Sequence, residues 1–181
     1  KFFCKYHKFV KNRLSSFLWI IFTVSKLHIK MNIQFDILKK SRALLLKELD
    51  GLTLEQLHEI PNGFKNNIAW NVAHVVVTEQ LLHYKLSGLD CLCPDDLIDD
   101  YKKGTAPTKV FTKEEFDEVK DLLMGLPDTL EEDFEAGIFE NYNEYPTSTG
   151  VVLNSIEVAI PFNNFHEGIH YGIVRSIKKF L

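Results

Sequence analysis

Four stretches of the chain place apolar side chains at alternating three- and four-residue steps, the spacing that lines one face of an α-helix. No stretch of comparable length alternates at every second residue, as a half-buried strand would, apart from a short candidate extended piece near Val151 to Leu153. The first helix is predicted from about Asn32 to Leu49, with Ile33, Ile37, Leu38, Leu44, Leu45 and Leu49 on one broad face and Gly51 ending it. The second spans about Asn67 to Leu86, with Trp70, His74, Val77, Leu81 and Tyr84 in its stripe and Gly88 at its end. Thr112-x-x-Glu115 is a capping box for the third, whose stripe is Phe116, Val119, Leu123, Leu126 and Leu130; Gly125 and Pro127 are expected to kink or split it. Asn154-x-x-Glu157 caps the fourth, whose stripe is Ile156, Ala159, Asn163, His166, His170, Ile173 and Ile177.

The connections are punctuated by breakers. Thr53-x-x-Gln56 opens a short turn before Pro61-Asn62-Gly63, a connection of about twenty residues carries Pro94, Gly104 and Pro107, and a second long one covers residues 135–153. The expected fold is therefore all-α: a four-helix, up-and-down-type bundle with long connections. With 181 residues, of which 45% are hydrophobic, the chain can bury one good core and is too short for two ordinary domains.

Charge divides the chain. Residues 1–30 hold Lys1, Lys5, Lys8, Lys11, Arg13, Lys26 and Lys30 and no acid; taking these seven from 21 basic residues leaves 14 against 25 acidic ones, a net of -11 for residues 31–181. Such an acidic body has no electrostatic grip on phosphate backbones, which argues against nucleic-acid binding. Phe17 to Val24 is too short an apolar run to span a bilayer, and Ser25-Lys26-Leu27-His28 lacks the small residues of a cleavage site. Met31 is accordingly read as the natural start, residues 1–30 as an upstream or non-native extension, and residues 31–181 as the domain, with no membrane partner. Three cysteines make no disulfide framework, so a cytoplasmic location with reduced thiols is expected, and Cys91-Leu92-Cys93 reads as loop.

The fourth helix carries the chemistry. Its stripe is apolar at both ends and polar in the middle, and buried polar groups left unpaired cost on the order of 1–3 kcal/mol each. His166 and His170, four apart on a helix, project from one face and can share an ion, and His74 can approach from the stripe of the second helix. Three neutral imidazoles leave coordination positions open and suit zinc, nickel or iron. The same residues could instead be hydrogen-bonded core histidines, and the spacing alone leaves both readings open. His83 falls on the opposite face from His74, His58 lies in a turn, and Glu167 and Tyr171 point about 100° away from the ligands. Glu55-x-x-His58 has no second Glu-x-x-His, which excludes a di-iron carboxylate site.

Asn67-Ile68-Ala69-Trp70-Asn71-Val72-Ala73-His74, with Leu86-Ser87-Gly88 closing the helix, resembles the second-helix signature of the DinB-like (DinB/YfiT-like) superfamily. Asn163-Asn164-Phe165-His166-Glu167-Gly168-Ile169-His170-Tyr171-Gly172 resembles its last-helix H-x-x-x-H-x-G signature, and the resemblance covers about residues 32–181. It implies a four-helix bundle, a histidine triad that binds a divalent metal (here His74, His166 and His170), often a homodimer, and a cytoplasmic bacterial setting. Relatives include thiol S-transferases that use a low-molecular-weight thiol and proteins assigned as metal-dependent hydrolases. The expected function is a metal-binding protein that activates a thiol or water for S-transfer to, or hydrolysis of, a small-molecule substrate. The alternative is a non-catalytic, stress-associated small-ligand binder with a structural metal; a fourth protein ligand would favour it. Asn163 is a candidate to orient the bound ligand or a ligand histidine, or else to fix helix register. Trp70 is a candidate pocket wall, or else a core aromatic.

Overall fold

The structure, a computed structural model, describes residues 31–181, and its compact unit is Phe35–Leu181. The expected extension over residues 1–30 lies outside the described residues. Among those described, six α-helices and one two-stranded hairpin are present. Four of the helices are long: α1 (31–48), α3 (Ile68–His83), α5 (Lys113–Ala136) and α6 (Ile156–Ile177). The fold is all-α, as the periodicity predicts.

α3 is the centre of the molecule. It packs against α5, α6, the short α2 (Leu54–His58) and the short α4 (Asp95–Tyr101), and almost all of its side chains are buried. A helix apolar all the way round is stable only when walled in on every side, which is how Ile68 to Val77 are accommodated. Its start is set by Asn67, whose Oδ1 accepts from Trp70 N at 2.7 Å while its Nδ2 donates to His58 O at 3.0 Å, tying α2 to α3. It gives way to a single 3₁₀ turn, Lys85–Ser87, closed by Gly88 at φ 75°, a left-handed conformation that glycine adopts without steric cost. The Thr53 and Thr112 capping boxes both form, opening α2 and α5.

Several expectations are corrected by the packing. On α1 the buried seam is Phe35, Leu38, Arg42, Leu45 and Leu49, whereas Ile33, Ile37 and Leu44 are exposed. Leu38, Leu45 and Leu49 of the expected face are buried as predicted; the seam lies to one side of that face, where Arg42 meets its two carboxylate partners. α4 arises inside the connection expected to be loop. Asp95 and Asp96 in its first turn offset the helix dipole, but with only Leu97 and Tyr101 buried it is too short for periodicity to register. Asn154 does not cap α6; Ser155, extended and without a side-chain cap bond, precedes its first residue. The extended piece is real but brief: β1 (Tyr145–Pro146) pairs antiparallel with β2 (Val152–Leu153), and Leu153 packs with Leu82 and Ala159.

α5 runs unbroken through Gly125 and Pro127, so the helix is not split there. A proline inside a helix leaves the carbonyl four residues back without its N–H donor, here that of Leu123. Arg42 Nη1 donates to Leu123 O at 3.0 Å, so the orphaned carbonyl is satisfied from α1.

That arginine anchors a polar core that the sequence stripes did not reveal. Arg42 is fully buried, donates to Glu167 of α6 in bidentate fashion (Nη2 to Oε1 at 2.7 Å, Nε to Oε2 at 3.1 Å) and pairs with Glu79 of α3. Asn163 Nδ2 donates to Glu167 Oε1 at 2.8 Å, and Gln80 Nε2 to Glu79 Oε1 at 3.0 Å. Burial pushes the Glu79 carboxyl up to about 7 against the pull of the guanidinium. Glu79 therefore retains a proton more readily than a carboxyl in water does.

Candidate metal centre

His74 of α3 and His166 and His170 of α6 converge where the two helices pack, each offering a ligand nitrogen within 4.8 Å of the others. His170 Nε2 and His166 Nε2 stand 3.1 Å apart. Two nitrogens each bound to one ion at ordinary lengths would stand roughly 2.9–3.4 Å apart, so this pair is spaced as co-ligands are.

The tautomers follow from the neighbours. His74 Nδ1 lies 2.6 Å from Tyr101 O and must carry the proton, which turns the Nε2 lone pair inward. His170 Nδ1 lies 2.8 Å from Asn71 Oδ1, and Asn71 is itself oriented by donating from Nδ2 to Asn67 O at 2.6 Å. His170 Nε2 is thus also a bare lone pair. His166 Nδ1, by contrast, is buried without a hydrogen-bond partner among the described residues, which makes His166 the least braced of the three. Burial depresses all three imidazoles, His166 to about 4 and His170 to about 3, with His74 also lowered despite its Tyr101 bond. All are neutral at neutral pH, the form that ligates metal.

Trp70 stacks on His74, centroids 4.5 Å apart and planes 11° from parallel, and donates from Nε1 to Thr105 Oγ1 at 3.2 Å. Asn163, which the spacing nominated for orienting a ligand or a histidine, has its amide bonded to Glu167 in the Arg42 cluster. Asn71, the carbonyl of Tyr101 and Thr78, whose Oγ1 lies 3.2 Å from His74 Nε2, were not singled out from the sequence. Asn71 follows Asn67 by one turn within the second-helix signature, a legible signal; the Tyr101 carbonyl is invisible to any side-chain pattern.

A family model described as the DinB superfamily matches residues 37–174, which include all three histidines. The chain belongs to the DinB superfamily. No curated protein is similar enough to this DinB chain to lend it an activity.

The donor set of this DinB protein fits a divalent metal: three neutral imidazoles, two with their outer nitrogens held by acceptors that fix the ring plane. Among the described residues no carboxylate or thiol joins the group. Cys93 is buried, which pushes its thiol up to about 12, and Cys91 is shifted upward as well, so neither offers a ready thiolate. Beside His74 and His166 lies a cavity of about 380 Å³ walled by Leu81, Leu82, Leu86 and Phe162. Because Asn71 is what orients His170, Asn71→Ala is expected to weaken zinc binding about 10- to 100-fold with little change in helix content. Competition titration against a chromophoric chelator measures this, and unchanged affinity would mean that His170 needs no bracing.

Proposed function

We propose that the protein is a metal-dependent enzyme acting on a small molecule, with one divalent ion held by His74, His166 and His170. Zinc, nickel or iron suits three imidazoles, and when bound such an ion supplies a Lewis acid that lowers the pKa of a thiol or a water towards neutrality. S-transfer from a low-molecular-weight thiol and hydrolysis are the two reactions this chemistry serves.

The observation that carries the proposal is the incomplete ligand set at a cavity. Three protein ligands without a fourth among the described residues are the pattern of a site that admits an exogenous ligand, whereas structural sites are closed by four. The chain's own groups supply orientation and shelter. Tyr101 O and Asn71 hold two imidazoles, the Thr78 hydroxyl borders the cavity next to His74, and leucine and phenylalanine side chains wall it.

The test is cobalt(II) substitution of untagged protein, followed by addition of a small thiol. The visible spectrum is expected to change on thiol addition, and thiol transfer or hydrolysis to track metal loading and vanish on chelation. A cobalt spectrum indifferent to thiols, azide and cyanide would overturn the enzyme reading in favour of a structural metal.

A further inference from the structure

The cavity beside the histidines is lined by two lysines and no carboxylate. Residues 31–181 carry 14 basic against 25 acidic side chains, a net of -11, so anions are repelled in general. Most described lysines sit against carboxylates, as in Lys39 with Asp128 and Glu131, Lys102 with Asp99, and Lys113 with Asp117. Among the described residues Lys47, Lys65, Lys85, Lys103 and Lys179 are in no ion pair, and of these five Lys85 and Lys103 line this cavity, together with His74, His166, Thr78 and Ser148. Lys85 also borders an adjoining depression lined by Asp90, Asp95 and Asp99, whereas Lys103 does not. The wall between these polar groups is apolar, formed by Leu82, Leu86 and Phe162 among others.

We propose that this cavity binds a small amphipathic molecule with an anionic group, neutralised by Lys85 and Lys103, whose apolar part lies along the leucine and phenylalanine wall. The proposal rests on the enzyme reading for its biological sense, since it names the class of the substrate, but its physical basis is independent of the metal. Two ammonium groups without carboxylate partners lower the energy of an anion that the acidic surface would otherwise reject. A cavity of about 380 Å³ has room for a molecule of drug-like dimensions and none for a macromolecule. Different residues thus divide the work: the histidines serve the reacting end and the lysines the anionic end of one ligand.

The test uses 4-phenylbutyrate and its neutral amide, 4-phenylbutyramide, titrated calorimetrically into metal-free protein so that direct carboxylate ligation of an ion cannot contribute. Wild type is expected to prefer the carboxylate by about 10-fold, as two half-solvated charge contacts allow. Raising the ionic strength from about 0.05 M to about 0.5 M should shrink that preference. Lys85→Gln/Lys103→Gln should bind both probes alike while keeping its helix content and wild-type zinc loading. Equal binding of the two probes by wild type, no binding of either, or a preference that survives in the double variant would each overturn the proposal. Zinc loading, measured on separately reconstituted portions of the same preparations, separates its failure from failure of the metal reading.

Discussion

Arg42→Ala is expected to destabilise the bundle by about 3–5 kcal/mol, because removing one member of a buried ion cluster strands the others in a dry interior. The stranded groups are the carboxylates of Glu79 and Glu167, both buried, and the Leu123 carbonyl already deprived of its helical donor by Pro127. A loss of this size is a large part of the stability of an ordinary domain. Urea denaturation read by circular dichroism measures it. The pH dependence identifies the cause. Glu79 is raised by burial even beside Arg42, and without the guanidinium both carboxyls would bind protons in the folded state above the pH at which they ionise in the unfolded chain. The folded variant then holds more protons than the unfolded one, so its stability falls as pH rises from the ordinary carboxylate range through neutrality. The deficit relative to wild type should be smaller at pH near 5 than at pH near 8. Adding Glu79→Gln and Glu167→Gln should recover part of the loss at the higher pH. A deficit independent of pH and unrelieved by the added substitutions would assign the effect to lost packing.

His170→Ala is expected to abolish stoichiometric metal binding. It removes one of three donors together with its Asn71 bond, so the loss of affinity should exceed the about 10- to 100-fold typical of perturbing a ligand's partner. Elemental analysis of untagged protein is expected to find about one zinc, nickel or iron per chain in wild type and background levels in the variant. A second readout is thermal: an ion at 1,000 times its dissociation constant stabilises the folded state by about 4 kcal/mol, so added metal should raise the wild-type melting temperature and leave that of His170→Ala unmoved. Trp70, stacked on His74, provides a fluorescence signal for the same titration. Metal absent from wild type and refused on reconstitution would leave the three histidines as core hydrogen-bonding groups and remove the basis for an enzyme.

The helices were legible where periodicity was long and undiluted. The α5 stripe from Phe116 to Leu130 is buried as its spacing predicts, and Gly51 and Gly88 stand at the ends expected of them, both with positive φ. On α6 the expected Ile156, Ala159, Asn163, His170 and Ile177 are buried, but so are Ile160, Glu167 and Val174, so Glu167 is turned into the core. Spacing alone had pointed it elsewhere. A charged residue weighs against burial in any single-helix pattern, and only its cation, 125 positions away in sequence on α1, tips the balance the other way.

By itself the sequence determined a bundle of helices, the places where chain breakers end them, and the histidine spacing that allows one ion to be shared, because these depend on local backbone preference and on side chains of a single helix. Only the tertiary structure decided that Arg42 and Glu167 belong to the inward sides of α1 and α6, that Arg42 ties four helices together, and which groups turn the His74 and His170 lone pairs towards each other. Those outcomes depend on pairing polar groups across the core, where an unpaired charge or carbonyl is costly and a distant partner makes the same group a structural necessity.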